Sequence, residues 1–196
     1  MTWQAYPADL GTLLGSTAFA FVDVEFTTLD ERYRRPWEIA VIHYSDGQRE
    51  EHRWLIADVD LAGADEEALA VGGFHERHPR ATARASTDDA RVQTEAETAA
   101  ELVGLLKDVQ WVGVVPDSDA STITAMLRRH GLEPSWHYQL VDAAVYAAGV
   151  MRTLPPRISW AVSESMGVLA HGRRLHHALE DARWAHDLFI AALAYR

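Results

Sequence analysis

Residues 19–30 read FAFVDVEFTTLD. The apolar run 19–22 has the composition of a buried strand, and Asp23 and Glu25 follow it directly. Alternation along a strand puts these two carboxylates side by side on one face. Two bare carboxylates that close repel, and burying them is costly unless something positive pairs with them. The strand therefore calls for a cationic partner that it does not itself supply.

Outward from this strand, the first half of the chain keeps strand periodicity. Residues 18–24 form the first strand and residues 37–44 (WEIAVIHY) the second. Asp46-Gly47 supplies a tight turn, and residues 49–57 alternate polar and apolar, so strands two and three form a hairpin. Residues 29–36 are a polar, basic loop. The pattern then becomes helical. A short helix is expected over 65–69, and residues 79–93, poor in large apolar side chains, as a surface loop. Thr94 and Glu97 have capping-box spacing at the head of a helix over 94–108. A short buried strand follows at 110–115. Asp119 then starts a helix that carries Ile123, Met126 and Leu127 on one face and ends at Gly131. A strand at 138–141 and helices at 142–150, 159–169 and 178–194 complete the chain. The last helix has Leu179, Ala182, Ala185, Phe189 and Ala192 as its buried stripe. This order predicts an α/β domain: a mixed sheet, antiparallel over its first three strands and then parallel, flanked by helices. There is no internal repeat and no linker, so residues 1–196 read as one domain.

The net charge of -11 argues against nucleic-acid binding through a broad basic surface. It leaves open an enzyme that grips phosphate through bound cations. The absence of cysteine excludes disulfides and thiolate metal sites. No apolar run approaches the roughly 18–20 residues needed to cross a bilayer. The N-terminal MTWQAYPADL lacks the basic start and apolar block of a secretory signal, so the cytoplasm is the expected location.

Active sites of such sheets lie at the carboxyl ends of the strands, where Asp23 and Glu25 stand. Asp117 and Asp119 follow the strand at 110–115, although an acid at a helix start is also a plain cap. Glu180 and Asp181 fall in the first turn of the last helix. Asp181 lies beside the apolar stripe, between Ala178 and Ala185, so it faces inward and needs a partner. Glu180 faces solvent. If these elements meet, Asp23, Glu25, Asp119 and Asp181 form a pocket of hard oxygen ligands suited to Mg²⁺ or Mn²⁺. Two such ions about 4 Å apart would offset the charges and clamp the attacking and leaving oxygens of a phosphodiester. A histidine at the helix entrance could deprotonate the attacking water.

These residues resemble a known family. Asp23-x-Glu25 after an apolar strand, Asp119 at a helix start, and His176 five residues before Asp181 in HHALEDA resemble the DEDDh 3′–5′ exonucleases. That group includes polymerase proofreading subunits, ribonuclease T and oligoribonuclease. Residues 37–42 (WEIAVI) resemble the family's second strand, and LVDAAVYAAG, MGV and HHALEDA keep its order. The resemblance implies a ribonuclease H-like fold and a single exonuclease domain. It implies two Mg²⁺ or Mn²⁺ ions held by Asp23, Glu25, Asp119 and Asp181, with His176 rather than His177 as general base. The implied substrate is a nucleic acid with a 3′ end, DNA or RNA, with Thr27 and Leu29 against the terminal nucleotide. A homodimer or a polymerase-type partner is compatible with it. Two stretches depart from the family pattern. Its Thr-Thr-Gly after the glutamate is Phe26-Thr27-Thr28 here, and its His-Asn before an aromatic–Asp pair is replaced within residues 114–119 (VVPDSD). Asp119 keeps the helical spacing, and Asp117 competes with it.

Two other readings stand beside this one. A catalytically degenerate copy would bind nucleic acid or a protein without turnover. An unrelated histidine metal site would use residues 74–78 (FHERH), which lack the third and fourth ligands that zinc requires. Trp37, Trp111 and Trp184 are expected in the core. Trp54, Trp136 and Trp160 are candidates for base stacking, with core packing as the default.

Overall fold

The computed structural model describes residues 18–82, 89–155, 158–169 and 176–195. Among the described residues the first elements are β1 (Phe19–Phe26), β2 (Pro36–Ser45) and β3 (Gln48–Ile56). Asp46 and Gly47, at φ 51° and 74°, make the left-handed two-residue turn that joins β2 to β3. Two short helices follow, α1 (Glu66–Val71) and α2 (Phe74–Arg77). Then come β4 (Arg91–Gln93), α3 (Glu95–Leu105), β5 (Gln110–Gly113), α4 (Asp117–Arg129) and β6 (Val141–Asp142). Helices α5 (Ala143–Val150), α6 (Ser159–Ser165) and α7 (Ala178–Leu193) complete the described chain.

The six strands form one sheet in the order β4-β3-β2-β1-β5-β6. Only β2 runs against the others. This is the mixed sheet that the order of elements predicts. Each face carries a core. Ala20, Val22 and Val24 of β1 join Ile39, Val41 and Trp54 under Leu102 of α3 and Ile123, Met126 and Leu127 of α4. On the other face, Phe21, Ala40, Ile42 and Val112 pack under α5 and α7. Those two helices present mostly alanine to the sheet: Ala143, Ala144, Ala147, Ala182 and Ala192. Small residues let the helix axes lie close to the strands. Arg183 of α7 then grips Glu51 of β3 with two nitrogens, at 2.6 and 3.1 Å, a fork-on-carboxylate contact. Asp23 and Glu25 lie on this α7 face, at the end of β1, as their spacing from Phe21 requires.

Several elements differ from expectation. Residues 91–93, expected within a loop, pair in parallel with β3; the segment is too short and exposed to show an apolar pattern. Residues 83–88 of that expected loop lie outside the described residues. Helix α2 was not expected. The expected strand at 138–141 shrinks to Val141–Asp142, with Tyr138 exposed. Helix α4 starts at Asp117 rather than Asp119. The helix expected over 159–169 stops at Ser165, and Gly167 turns the chain at φ 77°.

Trp37 and Trp111 are fully buried, and so is Trp54, which takes Trp54 away from any base. Trp136 packs on Trp111 at 4.8 Å between ring centroids. Trp160 is half exposed. Trp184 is partly buried and donates to Ser163 at 2.8 Å. The histidine metal reading does not survive. His78 is fully buried and stacked on Phe74, its Nε2 meets the Ile56 carbonyl at 3.0 Å, and its Nδ1 accepts from Arg80 N–H at 3.2 Å. Both ring nitrogens are thus occupied. Among the described residues no helix is long and apolar enough to cross a membrane.

Candidate active site

The carboxyl end of β1 opens into a cleft of about 520 Å³ lined by Asp23, Glu25, Asp119, His176 and Asp181. Three elements deliver them. Asp23 and Glu25 come from β1. Asp119 lies in the first turn of α4, on the opposite face of the sheet, and accepts a hydrogen bond from the Val24 backbone. Asp181 lies in the first turn of α7. One ligand atom each from Glu25, His176 and Asp181 lies within 4.8 Å of the others. Asp119 is buried, whereas Asp117, one step round the same turn, is exposed. The structure thus brings Asp119 into the cleft and leaves Asp117 outside it.

Electrostatics make the cluster costly without a cation. Burial, then the charges of Asp119, Asp181, Glu25 and Glu38, push the Asp23 carboxyl well above its ordinary range. Burial, then Glu38 and Asp181, raise Glu25 to about 8 against a partial lowering by Arg77. Asp119 is raised by burial first and by Glu25 next, with Arg34 and the Val24 hydrogen bond opposing. Burial also raises Asp181, and the backbone bond from His176 leads the opposing contributions. Four acids lining one cleft give a set of hard oxygen donors that fits divalent ions.

His176 has φ 59°. Asp181 Oδ2 holds that turn by accepting the N–H groups of His176 at 2.7 Å and His177 at 3.3 Å. The bonds also cap α7, whose N-cap His177 makes no side-chain cap of its own. Asp181 thus shapes the corner through one carboxylate oxygen and also lines the cleft. Val115, which also lines the cleft, has a left-handed backbone too, at φ 56°. For a β-branched residue this is strained. Its N–H donates to Asp142 Oδ2 at 3.2 Å, while Oδ1 of Asp142 caps α5.

Leu29 is exposed and lines the cleft, whereas Thr27 does not. Thr27 is fully buried: its hydroxyl accepts Arg35 N–H at 3.1 Å and its carbonyl accepts Asp65 N–H at 2.8 Å. This corrects the expectation of a nucleotide contact through the Thr27 side chain, which instead supports the loop from within. The loop needs no glycine at Thr28, because no residue from Phe26 to Asp30 has a positive φ. Buried Arg34 holds it, donating to the carbonyls of Thr28 (3.3 Å) and Leu29 (2.6 Å) with its guanidinium 4.8 Å from the Phe26 ring centroid.

The main omission of the sequence reading is Glu38. It is opposite Glu25 in the β1–β2 register and fully buried. Arg53 donates to it at 2.6 Å, and Arg77 donates to its other oxygen. An acid inside the otherwise apolar run WEIAVI was the available signal; nothing local marked Arg77. Gly72 was also missed. A Cβ there would come 3.0 Å from Glu25 Oε2 and 3.1 Å from Trp37, so a glycine keeps that side of the carboxylate open.

The fold is ribonuclease H-like. It is similar to that of E. coli Exonuclease I bound to a dA16 oligonucleotide, with a TM-score of 0.65 at 17% identity over 92% of this chain and 41% of that one. A zinc-bound E. coli complex of that enzyme with single-stranded DNA gives 0.59 at 20% identity, covering 91% and 39% of the two chains. An Exonuclease I complex with SSB-Ct gives 0.63 at 16%, covering 92% and 42%. The chain therefore spans about two fifths of the length of these solved chains. No family model and no curated protein matches the sequence.

Proposed function

We propose that the protein is a metal-dependent 3′–5′ exonuclease acting on the terminal phosphodiester of DNA or RNA. The observation that carries this is the meeting of Asp23, Glu25, Asp119 and Asp181, from both faces of the sheet, in one cleft beside an exposed histidine. The oligonucleotide complexes of structurally similar Exonuclease I support nucleic acid as the substrate class.

The four carboxylates would hold two Mg²⁺ or Mn²⁺ ions. Bound there, such ions supply the positive charge that the acids lack, acidify water and stabilise negative charge developing on the phosphate. The side chains divide the remaining work. His176 stands at the cleft mouth and takes the proton from the attacking water as general base. Asp181 holds the His176 corner through the two backbone bonds. Leu29, Val71 and Val115 give the rim apolar surface against which a terminal base can rest, and Arg34 keeps the Leu29 loop in place.

The test is digestion of matched DNA and RNA oligonucleotides, labelled at either end, with Mg²⁺, Mn²⁺ or chelator. The expected result is stepwise loss from the 3′ end that stops in chelator. Intact substrate in both ions overturns the proposal.

A further inference from the structure

We propose that Arg77, at the end of α2, is the positioning residue that sets His176 in the cleft. This inference rests on the role given to His176 above. Arg77 lies 99 residues away in the chain and reaches three acceptors from three segments. Its guanidinium donates to the His176 carbonyl at 2.8 Å, to the Gly72 carbonyl and to Glu38 Oε2. It also lies 4.8 Å from the centroid of the Trp37 ring, so stacking fixes its plane.

The guanidinium is itself held. Glu38 is fully buried, and its second oxygen is taken by Arg53 of β3 at 2.6 Å. The chain Arg53–Glu38–Arg77 therefore runs from the centre of the sheet to the His176 peptide. The backbone of His176 is thus pinned on both sides: Asp181 accepts its N–H and Arg77 binds its carbonyl. The need is visible in the backbone. His176 is exposed and in a left-handed conformation, which its neighbours must impose. Asp181 holds the peptide unit that follows His176 only through the longer 3.3 Å bond to the His177 N–H, whereas Arg77 binds the carbonyl of that unit at 2.8 Å, and a base displaced by about 1 Å loses up to roughly a hundredfold in rate. Gly73 suits the same arrangement. It has φ 70°, and a Cβ there would lie 3.1 Å from Arg77 Nε.

The discriminating variant is Arg77→Lys, which keeps a charge for Glu38 but cannot present the planar fork. Turnover of a 3′-labelled oligonucleotide with Mn²⁺ is compared for the parent, Arg77→Lys, His176→Ala and the double variant. Arg77→Lys should lower kcat by at least about tenfold, with KM within about twofold. In the His176→Ala background it should cost almost nothing further, because its effect passes through that imidazole. An equal cost in both backgrounds overturns the proposal. Amide hydrogen exchange gives a second readout that needs no turnover. In both Arg77→Lys and Arg77→Gln, exchange at the His176 and His177 amides should rise at least about tenfold, with β1 and β2 unchanged. Unchanged exchange at those amides also overturns it. If the parent lacks nuclease activity, the exonuclease reading fails, while exchange still decides whether Arg77 clamps the corner.

Discussion

Replacing Glu25 by glutamine should stabilise the metal-free protein at pH 8. Burial, Glu38 and Asp181 raise the Glu25 carboxyl from 4.5 to about 8. The raised folded-state value sets the sign. The stability it contributes is complete below pH 4.5 and is lost as pH rises through about 8. The difference, 8 minus 4.5, is 3.5 units, which at about 1.4 kcal/mol per unit is roughly 5 kcal/mol as an upper bound. The cleft is open, so water and local relaxation reduce this, and about 2 kcal/mol is the working figure. Glutamine keeps the shape and carries no charge to desolvate. For a chain of this length, 2 kcal/mol corresponds to a Tm increase of roughly 4–8 °C. Thermal unfolding in EDTA should therefore give Glu25→Gln the higher Tm at pH 8, with the gap closing by pH 5. Divalent ions should reverse the order at pH 8. Mn²⁺ at a hundred times the parent's Kd stabilises the parent by about 2.7 kcal/mol, and a variant that binds it about a hundredfold more weakly by only about 0.4 kcal/mol. A variant less stable than the parent in EDTA at pH 8 would refute the reasoning, as would an equal Mn²⁺ shift in both proteins.

Other variants probe separate parts of the structure. Asp119→Asn should cut nuclease turnover by at least about a hundredfold, whereas Asp117→Asn, on the exposed side of the same turn, should stay within about twofold; equal effects would misplace the third carboxylate. Val115→Asn should raise the urea midpoint by the equivalent of about 1 kcal/mol, because asparagine tolerates the left-handed backbone that strains valine; no gain would mean the strain is absent. His78→Ala should cost about 3 kcal/mol of stability through lost stacking and two lost hydrogen bonds. Calorimetric Mn²⁺ binding should be unchanged in that variant, and a loss of binding would revive the His75–His78 metal reading.

The site was legible where it depended on local periodicity. Asp23 and Glu25 are two apart on a strand, and Asp181 is three from Ala178 on a helix. In both cases repeat geometry fixes the face, whatever packs against it. Asp119 was less legible. It and Asp117 are both first-turn acids, and a helix start welcomes either. The choice was made by where α4 lies on the sheet, which turns Asp119 toward Val24. Thr27 was misread for a similar reason: its loop folds back on Arg35 and Asp65, and a short polar stretch does not reveal which side of a loop faces inward.

The alternation of residues 19–25 and the helical stripe of residues 178–192 encoded β1, α7 and the placement of three of the four cleft acids. They could do so because strand and helix periods are properties of the backbone, read over a few neighbours. The arrangement behind the cleft is of another kind. Arg77 meets the His176 carbonyl across 99 residues of chain, and Glu38 meets Arg53 across the β2–β3 pairing. Contacts between distant segments exist only once the sheet has closed and α7 has docked on it. A buried glutamate in WEIAVI signals that some cation must reach it, but which arginines arrive, and what they hold in place, is settled by three-dimensional packing.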